Sequence, residues 1–251
     1  MEILDVLENK RSDVNPALLA LIENSIEVLT KAIQNFGENL ALSFNGGKDC
    51  TVVLHLLRAA SLIEDRQSKE ETSWLQRIKY VHFVKENEFE EIEQFRNFIE
   101  HNYNIKVQLY SSDFKGEVQK LIDQHGIEGI IMGNRKSDPW SRELEPICKS
   151  SPGWPEFFRV FPILDWSYHN VWEFLRFFDL PYCRLYDLGY TSLGEKDNSI
   201  RNPHLRVEKQ LDSGEIIEEF NPAYQLENDE YERESRIKAP VISSPPKDKQ
   251  Q

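Results

Sequence analysis

The chain has 251 residues, with 30 Lys and Arg against 43 Asp and Glu, so its formal net charge at pH 7 is −13. Hydrophobic residues make up 39 % of the chain and aromatic residues 11 %, which is too rich for a disordered polypeptide. The negative charge argues against non-specific capture of nucleic acid or of anionic membranes, because both need a basic surface. We therefore expect neither nucleic acid nor a membrane among its partners.

Targeting signals and disulfides are not indicated. The longest apolar stretch, residues 52–63, is interrupted by a histidine and an arginine and is too short to cross a membrane. The acidic N-terminal residues do not resemble a signal peptide. The three cysteines, Cys50, Cys148 and Cys183, are far apart and odd in number, which excludes a disulfide scaffold and favours a reducing compartment. We expect a cytoplasmic protein without a cysteine-based metal site.

The first half of the chain alternates helical and strand patterns. Apolar residues at steps of three and four predict an amphipathic helix that begins at Pro16, after Asn15 as its cap, and ends at Gly37. The following elements are predicted, in chain order, as a strand at 40–44, a buried helix at 50–61, a surface loop at 64–79, a strand at 80–84, a helix at 89–99, a strand at 106–110, a helix at 114–122 and a strand at 129–132.

Strands that are separated by helices along the chain predict a parallel sheet that is covered on both faces. We therefore expect an α/β fold with an open, mostly parallel, Rossmann-like sheet flanked by helices. Right-handed crossovers place the carboxyl ends of its strands along one edge, where ligands of open α/β sheets bind.

The second half of the chain has a different texture. Residues 133–159 are loop-like, residues 160–164 are predicted as a fifth strand, residues 169–178 as an aromatic-rich helix, and residues 181–230 as mostly loop. This pattern predicts a loop-rich C-terminal elaboration that packs on the edge of the sheet.

The expected organisation is one catalytic domain over residues 1–239. Within it we expect a nucleotide-binding α/β core at about 38–165 and a C-terminal subdomain at about 166–239. The polar, Pro-rich tail at 240–251 is predicted to be disordered.

A glycine loop, residues 43–49 (SFNGGKD), lies between the first predicted strand and the helix that follows. Gly46 and Gly47 let the backbone approach a ligand closely, and the N-terminus of the helix presents free N–H groups to an anion. The loop is not a Walker A motif, because Leu42 and Asp49 stand where that motif needs Gly and Ser or Thr. It predicts a phosphate site.

A second motif, residues 133–139 (GNRKSDP), follows the fourth predicted strand and so lies at the same edge of the sheet. Its cation Arg135 and its carboxylate Asp138 suit a phosphate and a metal ion together. Nearby, Trp140 and Trp154 offer flat apolar surface on which an aromatic ring can stack.

The glycine loop resembles the PP-loop, Ser-x-Gly-Gly-x-Asp, with one residue inserted; enzymes of that superfamily cleave ATP between its α- and β-phosphates. Further strings follow in the order that is typical of eukaryotic-type FAD synthases, also called FMN adenylyltransferases. These strings are Gly-x-Arg-x-x-Asp-Pro from Gly133, then Trp154-Pro155, the segment 189–194 (GYTSLG), Arg201-Asn202-Pro203, and the arginines Arg233 and Arg236. The resemblance covers about residues 15–238 and is to the stand-alone fungal-type form.

The resemblance implies a fold like that of the adenine-nucleotide α-hydrolases and a reaction that transfers AMP from ATP to FMN. The products would be FAD and pyrophosphate, and the metal would be Mg²⁺. ATP and FMN are then the expected small-molecule partners, and apo-flavoproteins that receive FAD are a further expected partner.

The resemblance also implies roles for individual residues. The expected ATP-binding residues are Ser43, Phe44, Asn45, Gly46, Gly47 and Asp49. The expected flavin-binding residues are Gly133, Arg135, Asp138, Trp140, Ser151, Trp154 and Arg201. The expected catalytic residues are Asn45, Asp49, Asp138, Arg233 and Arg236, with Asp49 and Asp138 also holding Mg²⁺. Lys48 and Asn134 occupy variable motif positions and are not included.

One position departs from the pattern of the FAD synthases. The family leads us to expect an aspartate three residues before Trp154, where this chain has Ser151. A hydroxyl brings no charge, so we expect weaker binding of the flavin, or binding that is shifted to Ser150 and the backbone.

Other functions stay open at this point. The small subunit of a sulfate adenylyltransferase is one alternative, and a non-catalytic nucleotide- or flavin-binding module is another. A phosphoadenylylsulfate reductase would need a nucleophilic cysteine near its C-terminus, whereas the last cysteine here is Cys183. A thiolating tRNA enzyme would need paired cysteines and a basic RNA-binding face.

Overall fold

The computed structural model describes residues 3–9, 14–67, 72–110, 113–210, 212–213 and 215–237. The predicted disordered tail lies outside the described residues. The helices are α1 (Ile3–Asn9), α2 (Pro16–Phe36), α3 (Lys48–Gln67), α4 (Trp74–Arg77), α5 (Glu90–Tyr103), α6 (Phe114–His125) and α7 (Tyr168–Phe177). The strands are β1 (Leu40–Ser43), β2 (Lys79–Phe83), β3 (Val107–Tyr110), β4 (Gly129–Ile131), β5 (Ile147–Lys149), β6 (Phe158–Val160), β7 (Arg206–Gln210) and β8 (Ile216–Phe220).

Six strands form one sheet in the order β3-β2-β1-β4-β6-β5. All neighbours are parallel except β5, which runs antiparallel to β6 at the edge. The predicted α/β fold with a mostly parallel sheet is confirmed. From β1 the chain first adds strands on one side and then, with β4, on the other. The carboxyl ends of β1 and β4 therefore flank a topological switch point, where open α/β sheets bind ligands.

The sheet separates two apolar clusters because successive side chains of a strand point to opposite faces. In β1, Leu40 and Leu42 belong to the larger cluster, which includes the buried faces of α2, α3, α5 and α7. Ala41 belongs to the smaller cluster, which α6 covers. Both faces of β1 are thus buried, which fixes the loop that follows it at the centre of the edge.

The long helix α2 forms as its sequence predicts. The side chain of Asn15 accepts a hydrogen bond from the N–H of Ala17 at 3.0 Å, and Pro16 occupies the first turn. Gly37, with φ at +54°, ends the helix. In the described part of the chain, no helix combines the length and the apolarity that crossing a bilayer requires.

Two predicted elements are wrong. The fifth strand, predicted at 160–164, lies instead at Phe158–Val160, because the chain turns after it: the N–H of Leu164 donates to the carbonyl of Phe161, and Pro162 has no N–H for a ladder. The loop predicted over 64–79 contains the end of α3 and the short helix α4. Several of the polar residues that suggested a loop therefore lie in the last turns of α3 and in α4.

Three further elements carry no strong sequence signal. Strand β5 has three residues and lies in the stretch predicted as loop, where its antiparallel pairing with β6 creates it. The hairpin of β7 and β8 is largely exposed, so it lacks a clear apolar alternation. Helix α1 is short, and its apolar residues Ile3, Leu4 and Val6 are buried by tertiary packing.

The three cysteines are free thiols. Cys50 and Cys183 are buried, whereas Cys148 is half-exposed. Burial raises the pKa of the Cys50 thiol to about 12 and that of Cys183 to about 11. The thiolate is the reactive form of cysteine. These two thiols are therefore protected from alkylation both because they are buried and because they stay protonated.

We predict that iodoacetamide at pH 8 alkylates Cys148 in the native protein and spares Cys50 and Cys183. Mass spectrometry of tryptic peptides after a short exposure gives the site of modification, and the same reaction in guanidinium chloride should modify all three. Native modification of Cys50 as fast as that of Cys148 would contradict the burial described here.

Candidate functional site

A cavity of about 520 Å³ opens at the carboxyl ends of β1 and β4. The glycine loop, the segment after β4, the loop after β2 and the C-terminal part of the chain all contribute to its wall. The residues of the predicted site that line it are Ser43, Asn45, Gly47, Asp49, Gly133, Asp138, Arg233 and Arg236. Most of the predicted phosphate and metal residues are thus brought together around one cavity.

The glycine loop turns directly from β1 into α3. Gly46 adopts φ at +76°, a conformation that side chains disfavour. The side chain of Asn45 accepts hydrogen bonds from the N–H of Gly47 and from the thiol of Cys50, both at 2.9 Å, and so stiffens the turn. At Gly133 a Cβ atom would lie 3.0 Å from the backbone nitrogen of Cys50, so the segment after β4 packs closely on the start of α3.

Behind the glycine loop lies a group of four ionised side chains, the buried Lys48, Arg135 and Glu232 and the partly exposed Asp49, which we call the charge cluster. Lys48 Nζ lies 2.9 Å from Asp49 Oδ2 and 2.6 Å from Glu232 Oε1. Arg135 Nη2 donates to both oxygens of Glu232 at 2.6 Å, and Arg135 Nε lies 2.9 Å from Asp49 Oδ1. Two cations therefore face two carboxylates, and the cluster is neutral overall.

The charges in the cluster hold one another in the ionised form. Burial by itself would lower the pKa of Lys48, but the carboxylates of Asp49 and Glu232 more than offset it, so the pKa is raised. Burial by itself would raise the pKa of Asp49, but Lys48 and Arg135 lower it below its ordinary value. Each ion is thus stabilised by its partners rather than by water.

Asp138 lies at the cavity wall with less compensation. Its Oδ2 accepts a hydrogen bond from the backbone N–H of Arg135 at 2.9 Å, and its Oδ1 is 3.4 Å from Arg233 Nη1. Burial raises the pKa of Asp138; the N–H of Arg135 opposes this shift and the negative charge of Asp49 adds to it. A raised pKa means that the ionised form of Asp138 is disfavoured at this place, and a further cation beside it would stabilise that form.

Arg233 and Arg236 bring positive charge to the cavity wall. Arg236 donates to Asn198 Oδ1 at 3.2 Å and to Ser199 Oγ at 3.5 Å. Among the described residues Arg236 forms no ion pair, and its pKa is lowered by burial and by the neighbouring charge of Arg233. Two adjacent guanidinium groups suit an anion such as a phosphate chain.

Three of the predicted flavin residues, Trp140, Ser151 and Trp154, are not among the residues that line the cavity. Trp140 is 97 % exposed, and its backbone has φ at +65°. The ring of Trp154 lies 5.6 Å from that of Phe114, which lines the cavity. Ser151 Oγ accepts from Arg159 Nη1 at 3.3 Å. Apolar surface next to the phosphate end of the cavity is therefore present, from Phe83, Phe114 and Met132.

Other predicted residues do not reach the cavity wall. Phe44 is fully buried in the larger apolar cluster, and Gly46 packs against Ile92. Arg135 is 1 % exposed and is held inside the charge cluster. Arg201 is exposed, with its guanidinium 5.3 Å from the ring of Phe220.

Sequence reasoning missed three residues of the site. Lys48 was excluded as a variable motif position, yet it is central to the charge cluster. Tyr186 accepts a hydrogen bond from the backbone N–H of Lys48 at 2.9 Å. Glu232 stands beside Arg233 in the sequence, and this adjacency was the available signal. Its pairing with Lys48, 184 positions away, has no local signature.

The arrangement can bind a polyphosphate chain. Backbone N–H groups at the start of α3 and the two guanidinium groups supply positive potential to the cavity. Asp49 and Asp138 supply oxygen ligands for a divalent cation. Among the described residues there is no group of three or more His, Cys, Asp or Glu that could hold a metal ion.

The sequence is similar to a known family model and to several known proteins. The model of the phosphoadenosine phosphosulfate reductase domain matches residues 39–120 and 115–200. A probable FAD synthase of Schizosaccharomyces pombe is 34 % identical over 200 residues, which is 79 % of this chain and 72 % of the relative. A probable FAD synthase of Caenorhabditis briggsae is 37 % identical over 86 % of this chain, but the chain spans only 40 % of that relative's length.

The fold also matches that of a solved structure. The crystal structure of Candida glabrata FMN adenylyltransferase in complex with FAD and inorganic pyrophosphate superposes with a TM-score of 0.78. The match covers 94 % of this chain and 95 % of that chain, with 22 % identical residues. At this identity the superposition shows that the two proteins share a fold, and no more than that.

We predict that Gly194→Ala weakens polyphosphate binding by displacing Arg236. A Cβ atom at Gly194 would clash with Arg236 Nη1 and with Asn198 Oδ1, which accepts a hydrogen bond from that guanidinium, so both side chains must move. Loss of one charge-assisted contact, about 1.5–3 kcal/mol, should weaken binding about tenfold or more. Calorimetric titration with inorganic pyrophosphate measures the change, and Arg236→Ala should show the same loss. Unchanged affinity in Gly194→Ala beside a clear loss in Arg236→Ala would refute the packing argument.

Proposed function

The chain belongs to the phosphoadenosine phosphosulfate reductase domain family and, within it, to the FAD synthases, and on that premise we propose that it transfers AMP from ATP to FMN. The products are FAD and pyrophosphate. The observation that carries the proposal is the meeting of the glycine loop, Asp138 and the two arginines around one cavity at the switch point of the sheet.

The chemistry requires positive charge more than it requires a base. The terminal phosphate of FMN is already an anion near pH 7, and it attacks the α-phosphorus of ATP in line with the departing pyrophosphate. The enzyme must therefore bring two anions together and stabilise the charge that grows on the leaving group. The start of α3, Arg233 and Arg236 supply the dipole and the cations for that task.

The residues present fit a Mg²⁺ ion. Asp49 lies at the cavity wall with its side chain 25 % exposed, and burial raises the pKa of Asp138, so a cation beside Asp138 would stabilise its ionised form. Mg²⁺ typically binds one or two carboxylates together with substrate phosphates. We propose that Asp49 and Asp138 hold it. When bound, it would neutralise charge on the phosphate oxygens.

The remaining roles follow the division of the cavity. Ser43, Asn45 and the backbone of Gly46 and Gly47 are proposed to bind the phosphates of ATP, and Arg233 and Arg236 to neutralise the departing pyrophosphate. Gly133, on the cavity wall, and Trp140, Ser151 and Trp154, outside it, are proposed to contact FMN. Phe44 and Arg135 are buried and Arg201 packs on Phe220, so direct contact of these three with either substrate has no support in the geometry.

Two alternatives are weaker. A reductase mechanism needs a reactive thiolate, but the last cysteine, Cys183, is buried and its pKa is raised to about 11. A binding module without turnover would not need to keep Asp138, Arg233 and Arg236 around the cavity.

Free thiols support the proposed cytoplasmic location. Delivery of FAD to apo-flavoproteins and the division of residues 1–239 into core and subdomain stay predictions.

The direct test is synthesis of FAD by the purified chain. With FMN, ATP and MgCl₂ present, chromatography should show FAD that increases with time. Omission of ATP or of the metal should abolish it. Binding of ATP without any FAD would contradict the proposal, and sulfate adenylylation would be the next assay.

Replacement of Asp138 tests the proposed metal ligand. Asp138→Ala and Asp138→Asn should lower kcat by about 10²–10³-fold, because the phosphate charge is no longer neutralised at that position. Since the carboxyl must be ionised to hold a cation and its pKa is raised, wild-type activity should fall on acidification from a higher pH than an ordinary aspartate would cause. A pH–rate profile checks this, and near-normal turnover in Asp138→Ala would refute the role.

A further inference from the structure

We propose that Glu232 is a positioning residue, whose buried carboxylate holds the segment that carries Arg233 and Arg236 against the glycine loop. This inference rests on the proposed function and adds to it a residue that acts through its neighbours. The charge cluster would then contribute to the reaction by fixing the position of Arg233 and Arg236, in addition to stabilising the fold.

The carboxylate of Glu232 bonds to two elements of the sheet edge at once. Its Oε1 lies 2.6 Å from Lys48 Nζ, in the first turn of α3, and both oxygens accept from Arg135 Nη2 at 2.6 Å, in the segment after β4. The side chains of Lys48 and Arg135 are only 2 % and 1 % exposed. Such charge-assisted bonds are directional, so they fix the place of Glu232 relative to both elements.

The backbone around Glu232 is fixed from the other side by neutral groups. Thr191 Oγ1 donates to the carbonyl of Glu232 at 2.6 Å, and the N–H of Thr191 donates to Ser235 Oγ at 3.0 Å. Asn202 Nδ2 donates both to Thr191 Oγ1 and to the carbonyl of Tyr231, each at 2.8 Å. The segment is therefore held between this network and the charge cluster.

Arg233 follows Glu232 directly, so a shift of one residue moves the other; consecutive Cα atoms are only about 3.8 Å apart. Arg233 also contacts Asp138, the proposed metal ligand. A small displacement of catalytic groups is enough to reduce rate strongly, by about 10²-fold for about 1 Å. The position of Glu232 thus sets how well Arg233 meets the phosphates.

Glu232 itself is unsuited to contact the phosphates. It reaches the cavity wall, but each of its oxygens already accepts from a cation. An uncompensated carboxylate at this place would repel the polyphosphate, and Lys48 and Arg135 cancel its charge. Its contribution is therefore made through the arginines that follow it.

The test is Glu232→Gln, which keeps the shape and removes the charge, so that one of the two cations loses its acceptor. We expect kcat for FAD synthesis to fall about 10–100-fold while the KM for FMN changes less than about twofold. Glu100→Gln is the matched control. Glu100 is 16 % exposed and accepts from Lys106 and from the N–H of Val107, at the opposite end of the sheet, so its loss should leave kcat unchanged.

A double variant separates positioning from stability. If Glu232 acts through Arg233, then Glu232→Gln in an Arg233→Ala background should cost little beyond Arg233→Ala alone. Fully multiplicative losses, or a normal kcat in folded Glu232→Gln with only a lower melting temperature, would overturn the proposal. Should Glu232→Gln not fold, Glu232→Asp keeps the charge but shortens the reach; a normal kcat in that variant would also overturn it.

Failure of the proposed function gives a different result. If the wild type formed no FAD, the reaction itself would be refuted. Calorimetric titration with inorganic pyrophosphate would then still test the positioning. Weaker binding in Glu232→Gln than in Glu100→Gln would support it, and equal binding would refute it.

Discussion

The structure of the site depends on the neutral charge cluster behind the glycine loop. Its four ions come from three parts of the chain that are far apart in sequence: Lys48 and Asp49, Arg135, and Glu232. Buried ions are costly unless they are paired, and loss of one partner leaves the other uncompensated. The arrangement is therefore stable only when all three parts are in place, and the cavity forms between them.

Around this neutral centre, the charges that face the cavity are less well compensated. The pKa of Asp138 is raised, which favours a cation beside it, and the pKa of Arg236 is lowered, which favours an anion. In the cluster the pKa shifts have the opposite sense, since the pKa of Lys48 is raised and the pKa of Asp49 is lowered. Lys48, Arg135 and Glu232 thus hold the framework, Asp138 and Arg236 are the less compensated ions at the cavity, and Asp49 belongs both to the cluster and to the cavity wall.

The sequence was informative wherever the signal is local. Helix periodicity, the strand–turn–helix setting of the glycine loop and the order of the motifs predicted the fold class and eight of the residues that line the cavity. The partner of a charged side chain is decided by packing, however, and this is why Arg135 was expected at the flavin and lies buried against Glu232. Strand β5 and Lys48 were missed for related reasons, because a three-residue strand and a variable motif position acquire meaning only from distant neighbours.

The distance of Glu232 along the chain has a consequence for biosynthesis. A ribosome releases Lys48 and Arg135 long before Glu232, so until then Asp49 is the only carboxylate of the cluster that has been synthesised. Arg233 and Arg236 emerge in the same segment as Glu232. Docking of the segment that carries Glu232, Arg233 and Arg236 therefore completes the charge cluster and the cationic part of the cavity wall in a single event.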